Sequence, residues 1–391
     1  MHIVEIPSFF PPYGGEFCLE QAKALKALGH EVRIVSNVQL SVRKSIREFV
    51  FLPYGRRHIE LDGIPVVMSY MRGIPKTVRP NVRRWIATVR SMFAGYVREY
   101  GLPDVIHAHC AKWAGYAAYL LSREYGVPFV ITEHLSRMLQ EQEFGRDYAG
   151  VWQIELLKEA YYNADMVVPV SEELVDDLAP MFGKGYRWTS ISNVIDTVFF
   201  RYADRRREEG SPYRFCCLAN FIYWKGYDVL FEAFDRLYGS VGNVELHIAG
   251  RGTDSEECRA MLGRYASARA VHVHGQLGRE EVRSLLYGCD ALALATRSEA
   301  QVLVVMEAMS TGMPVVSTEC VAGCLRVDGG VTIVPVDDAA AFADAMKKRV
   351  EENFCDGRRL SEHIAALASP ESVGRQLEAL FLSLEKKPAR P

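Results

Sequence analysis

Short apolar runs of four to six residues alternate along this chain with longer segments whose apolar positions recur every three to four residues. The short runs predict strands at Ile3–Pro7, Val32–Ser36, Val66–Tyr70, Val105–His109, Phe129–Thr132 and Met166–Val170. The longer segments predict helices between them. In Glu16–Leu28 the apolar Ala22, Leu25 and Leu28 share a face, and Gly29 follows where a helix end favours glycine. Asn81–Tyr100 aligns Trp85, Ile86, Val89, Phe93 and Val97 in the same way. From residue 213 the alternation begins again, with strands at Phe215–Leu218, Val244–Ala249, Val271–His274, Ala291–Ala295, Val315–Ser317 and Val331–Val334. Strands that alternate with helices build parallel α/β sheets. Two such series predict two Rossmann-like, doubly wound domains. The charged stretch DRRREEG at 204–210 has no apolar period, which sets the expected boundaries: a first domain at 1–193, a linker at 194–212, a second domain at 213–368 and a C-terminal helical segment at 369–391 that returns toward the first domain. Such sheets bind ligands beyond the carboxyl ends of their strands. The chemistry is therefore expected in the loops that follow strands, around a cleft facing both sheets.

Composition narrows this picture. The chain has 391 residues, 49% hydrophobic and 24% charged, enough for two cores and no argument for disorder. Its nine cysteines include no CxxC pair and read as reduced thiols rather than a disulfide framework. The N-terminus MHIVEIPSFF lacks the basic head and apolar core of an export signal, and no apolar run approaches the ~20 residues of a membrane span. A cytoplasmic protein is expected. The net charge of −3 hides an asymmetry: residues 41–98 carry twelve Lys/Arg against three Asp/Glu, a net +9. Phe49, Phe51, Leu52, Tyr54, Met71, Trp85 and Phe93 are interleaved there. Basic residues mixed with aromatics suit an anionic membrane surface, although a solvated basic face gives the same pattern. Charge alone also permits nucleic acid, but the motifs point elsewhere, and no nucleic-acid partner is expected.

The most informative segment is Thr296–Pro314, TRSEAQVLVVMEAMSTGMP. A strand ends, a polar loop follows, and an apolar helix starts near Val302, with Glu299 in the loop and Glu307 on the helix. Unpaired N–H groups at a helix N-terminus suit a diphosphate, and carboxylates accept from vicinal sugar hydroxyls. Lys225-Gly226, just before another helix, offers a cation for a departing phosphate and a residue that lets backbone approach closely. Gly14-Gly15 precedes the first long helix and reads either as an ordinary turn or as a phosphate contact. No GxGxxG fingerprint is present, which argues against a nicotinamide enzyme. DVIHAH sets His107 and His109 at a strand end, expected to face opposite ways, and ITEH ends the next strand with His134. HxH lacks a third ligand at fitting spacing and no DxD element follows a strand, so neither metal nor cofactor is expected.

These residues resemble the family 4 (group 1) retaining glycosyltransferases of GT-B fold. The resemblance rests on Glu299, Glu307-Ala308-Met309 and Gly312-Met313-Pro314-Val315-Val316, with Lys225-Gly226 and the Thr132–His134 element beside them. It spans almost the whole chain and is strongest from 215 to 316. It implies a GT-B architecture of two Rossmann-like domains facing a central cleft. It implies transfer of a sugar from a nucleoside diphosphate sugar, with retention and without metal, to a glycan or lipid-linked acceptor in surface polysaccharide assembly. His134, Lys225 and Glu299 would be catalytic. Gly15, Asn220, Arg251, Gln301, Leu303, Val304 and Glu307 would bind the donor, with Glu16 and His109 on the acceptor side. Two departures stand out: Asn220 replaces the family's phosphate-binding arginine, and Val194 replaces a glycine in Asn193–Asp196. They leave room for an inactive scaffold of the same fold. A nucleotide-sugar 2-epimerase of related architecture is the other reading.

Overall fold

A computed structural model describes residues 1–42, 45–144, 148–204, 207–208, 210–352 and 355–385. The chain divides into two compact units, 1–194 with 370–391, and 195–369.

The first unit is built on β1 (His2–Pro7), β2 (Glu31–Leu40), β3 (Arg56–Leu61), β4 (Ile64–Arg72), β5 (Val105–His109), β6 (Phe129–Glu133) and β7 (Met166–Pro169), ordered β3-β4-β2-β1-β5-β6-β7. All pairs are parallel except β3 with β4. That antiparallel strand is absent from the sequence reading. Its signal is the Asp62-Gly63 turn in RRHIELDGIPVV, where both residues take positive φ (47° and 78°), as a tight two-residue hairpin requires. The central strands are buried on both faces, so they read as continuous Val/Ile runs. The helix Pro370–Leu382 belongs to this unit: Val373, Leu377 and Phe381 are buried in its core beside Ala24 and Leu25.

The second unit carries β8 (Tyr213–Leu218), β9 (Val244–Ala249), β10 (Val271–Gly275), β11 (Ala291–Leu294), β12 (Val315–Thr318) and β13 (Val331–Val334), all parallel, ordered β10-β9-β8-β11-β12-β13. This is the doubly wound order, in which the strand order reverses between β8 and β11 and opens a crevice at their carboxyl ends. The corresponding switch in the first sheet falls between β1 and β5. The stretch expected as a linker differs from the expectation. Ile195 and Phe200 are buried in the second core, and Ile195 N donates to Ala368 O (2.8 Å), so the chain is anchored from residue 195. Arg205, Arg206 and Glu209 of the charged stretch lie outside the described residues.

Candidate functional site

In the second unit the loops after β8 and β11 meet at the switch point. Their contact depends on Gly226, which has φ 63°; a Cβ there would lie 1.9 Å from Ala295 O. Arg297 ties the loops together. Its backbone N donates to Trp224 O (2.7 Å), and its guanidinium donates to Tyr223 O (2.6 Å), Asp228 (2.7 Å) and Asp337 (2.6 Å). The two carboxylates hold that guanidinium above its usual range, against the opposite pull of burial. Within this frame Lys225 Nζ donates to Glu299 Oε1 at 2.5 Å, and the Thr296 hydroxyl stands 2.8 Å from the same oxygen. Two residues 74 apart in sequence are thus one ion pair.

The helix Leu303–Ser310 begins three residues after Ala300, and no side chain caps its N-terminus at Val302. The amides of Leu303 and Val304 therefore face outward in its first turn. Glu307 lies on the same helix. Burial pushes its carboxyl up to about 7 against the lowering influence of Arg279, and its side chain accepts no hydrogen bond from a described residue. Gln301, just ahead of the helix, is buried. Asn220 accepts from Arg251 N through Oδ1 (3.0 Å) and so holds the turn after β9, leaving Arg251 exposed beside it. A carboxamide there positions backbone, whereas arginine would present charge. Arg297 is the residue that sequence reasoning missed in this unit; its one signal was a cation inside the polar loop TRSEAQ.

In the first unit, Gly15 (φ 85°) caps the helix Glu16–Ala27, and a Cβ there would lie 2.0 Å from Phe9 O. Glu16 is exposed in the first turn. Behind this loop lies a buried chain of side chains. Glu5 Oε2 meets His107 Nδ1 at 2.8 Å and His109 Nε2 at 2.6 Å. His107 Nε2 reaches the Thr132 hydroxyl (2.6 Å), His109 Nδ1 reaches His134 Nε2 (3.2 Å), and His134 Nδ1 reaches Asn193 Oδ1 (2.8 Å). His134 also stacks on Phe17, with centroids 3.7 Å apart.

One expectation is corrected here. His107 and His109 share one face, because residues two apart on a strand point the same way. His109, expected on the acceptor side, is buried with both ring nitrogens engaged, as is His134.

Burial pushes the Glu5 carboxyl up, but the charge and hydrogen bond of His107, then His109, outweigh it and hold it at about 2. Burial, then His107, lowers His109 to about 4; burial, then His109, holds His134 well below the imidazole range. The chain of rings therefore ends at one carboxylate that stays ionised. Glu133 fixes the loop at the end of β6 by accepting from Ala111 N, His134 N, Leu135 N and the Tyr161 hydroxyl at 2.7–3.0 Å. Glu5 supplies the third metal-type group that HxH spacing did not reveal; with His107 and His109 it could ligate an ion, and its Oε2 lies within 2.8 Å of both rings. Glu5, Glu133 and Asn193 were not singled out as site residues; a charge inside the apolar run HIVEIP was the available clue.

A separate cavity of about 280 Å³ in this unit is lined by Tyr13, Trp85, Trp113, Glu48, Asn81 and Lys112, among others.

Comparison with known proteins fits both units. The model of the group 1 glycosyl transferases matches residues 212–352, and that of glycosyltransferase family 4 matches residues 14–199. A glycogen synthase of Mycobacterium tuberculosis is 29% identical over 304 residues, covering 74% of this chain and 71% of its own. TuaC of Bacillus subtilis, described as a teichuronic acid biosynthesis glycosyltransferase, is 24% identical over 395 residues, covering 96% and 94%. Among solved structures, Anabaena HepE in complex with UDP superposes with a TM-score of 0.73 at 16% identity, covering 98% of this chain and 100% of its own.

Proposed function

Because this chain belongs to the group 1, family 4 glycosyltransferases and has their GT-B fold, we propose that it transfers a sugar from a nucleoside diphosphate sugar with retention of configuration and without a metal. The observation that carries this reading is the Lys225–Glu299 pair beside the uncapped N-terminus of the helix that bears Glu307. Glu307 accepts from the ribose hydroxyls, and the Leu303 and Val304 amides bind the phosphates. Lys225 turns from Glu299 to the departing diphosphate, which frees Glu299 for the sugar hydroxyls. Gly15, Asn220, Arg251 and Gln301 line the donor side in the same proposal. His134 positions the sugar; its tautomer is set by the chain that ends at Glu5. In the transfer, the bond from the anomeric carbon to the phosphate oxygen breaks, and the acceptor oxygen bonds to that carbon on the same face. The acceptor's proton passes to the departing phosphate. HepE was solved with UDP, which supports a nucleotide donor.

The aromatic and polar cavity of the first unit suits a sugar ring, whose apolar faces stack on Tyr and Trp while its hydroxyls bond to Glu, Asn and Lys. We assign it to the acceptor, a glycan or lipid-linked glycan, and keep Glu16 as an acceptor-side residue in the same proposal. The relation to TuaC supports surface polysaccharide assembly. Membrane contact is part of the same proposal. The helix Ile46–Phe51 buries none of its residues, and Ile46, Val50, Phe51 and Tyr54 are exposed next to Arg47, Arg56 and Arg57. The basic face is narrower than composition suggests. Arg72 is buried and binds the Phe49 and Pro53 carbonyls, Arg90 pairs with Glu124, Trp85 and Phe93 are in the core, and Arg43 and Lys44 lie outside the described residues.

Calorimetry with UDP-, GDP- and ADP-glucose tests the donor site. One nucleotide sugar binding at micromolar strength, and at least tenfold more weakly to Glu307→Ala, is the expected result. Binding to none of them would favour an inactive scaffold. Activity abolished by EDTA, or a product of inverted anomeric configuration, would overturn those parts of the proposal.

A further inference from the structure

On the second sheet, β9 and its edge neighbour β10 carry two pairs of ligating side chains at alternate positions. Glu245 and His247 share one face of β9, and His272 and His274 share a face of β10. Parallel pairing sets His272 opposite His247. The three rings stack on one side of the sheet, with His247 4.6 Å from His272 and 5.3 Å from His274 between centroids. These residues point away from the buried Leu246 and Ile248, and none takes part in the donor loops described above.

His247 organises the group. Its Nδ1 lies 3.1 Å from His274 Nε2, which occupies one ring nitrogen. The other, Nε2, is buried and has no hydrogen-bond partner. It faces Glu245 Oε2 at 3.6 Å, too far for a hydrogen bond. The carboxylate is steadied by Arg214 Nε at 3.0 Å, and its other oxygen, Oε1, stands 3.8 Å from His272 Nε2. One oxygen of Glu245 and one nitrogen each of His247 and His272 lie within 4.8 Å of one another. Around a tetrahedral zinc ion, with bonds of about 2.0–2.1 Å, neighbouring ligand atoms stand roughly 3.3 Å apart. Side-chain rotation closes that difference, since His272 is about half exposed.

We infer that Glu245, His247 and His272 form a binding site for one divalent transition-metal ion of the zinc class. His274 acts from behind as the group that orients His247, as outer-shell partners of ligating histidines do. Imidazole nitrogens with one carboxylate select zinc, copper or nickel over calcium or magnesium, and water completes the fourth position. Arg214 weakens the site by its charge while fixing its carboxylate. The ion would clamp the edge strand β10 to β9; it has no part in the transfer reaction, so its test needs no sugar substrate.

The test is calorimetric titration of the full chain, stripped of metal, with zinc chloride in a non-coordinating buffer, paired with thermal unfolding. One ion per chain at micromolar strength is expected, with a higher unfolding temperature when it is bound. Binding should weaken at least 30-fold in His272→Ala, an exposed position where folding is not at risk, and in His247→Ala. It should be unchanged in His58→Ala on β3. No saturable binding below 1 mM zinc, or binding that survives both His272→Ala and His247→Ala, overturns the inference.

Discussion

Glu5 stands in the middle of an apolar strand with no solvent exposure, where an isolated carboxylate is very costly. Two imidazoles on one of its oxygens offset that cost. His109, lowered to about 4 in the fold against about 6.5 in an unfolded chain, takes up its proton only in the unfolded state as pH falls between those values. It therefore subtracts stability from the first unit over that window. Glu5, held at about 2, does the same below the ordinary carboxylate range. Glu307 works in the opposite sense. Held at about 7, it is protonated in the fold while the unfolded carboxyl is ionised, so acid down to the carboxylate range favours the second unit. Histidine-selective NMR should find His109 and His134 neutral at pH 5. Titration of either ring near 6.5 would show that the buried chain is looser than the structure has it.

At the scale of elements, the helix Ile46–Phe51 is capped by Ser45 at its start, and one side chain holds the turn that ends it. Arg72 stacks under Tyr54 at 3.7 Å and binds the Phe49, Pro53 and Tyr70 carbonyls, fixing the turn that displays Phe51 and Tyr54. Vesicles with a quarter phosphatidylglycerol should carry the protein upward in flotation, less so as salt rises, and Phe51→Asp should lower the bound fraction several-fold. Flotation that is insensitive to both would remove the membrane proposal.

Most strands of both sheets were legible in the sequence because parallel strands covered on both faces are largely apolar. The outward edge strand β3, with Arg56, Arg57, His58 and Glu60, offered no such run and was betrayed only by its turn. In the candidate site, Lys225, Glu299 and Glu307 were legible from motif spacing. The convergence of Glu5 on His107 and His109 was not, because parallel pairing of β1 with β5 joins residues about a hundred apart. Arg297 was hidden for a similar reason: its partners Asp228 and Asp337 lie 69 and 40 residues away.

For the molecule as a whole, the first unit is completed from the far end of the chain. Val373, Leu377 and Phe381 fill its core, Phe381 meets the His107 ring edge-on at 5.2 Å, and Gly374 allows the final helix to approach the Ala24 carbonyl. His30 Nε2 and Glu378 close the same contact at 2.9 Å. Three buried apolar side chains amount to about 5 kcal/mol or more. A chain ending at residue 369 should therefore unfold at a markedly lower temperature, beginning in the first unit while the second keeps its nucleotide. An unchanged melting profile would mean that the helix is dispensable.

That closing helix also sets a timetable. A ribosome delivers residues 1–194 first, yet the piece that seals them emerges only after the 175 residues of the second unit. At roughly 5–20 residues per second this is a wait of about 10–35 s. Throughout it, the groove beside Cys18, Ala22 and Leu25 is an open apolar surface on a nascent chain, which makes it the segment where a chaperone has most to do.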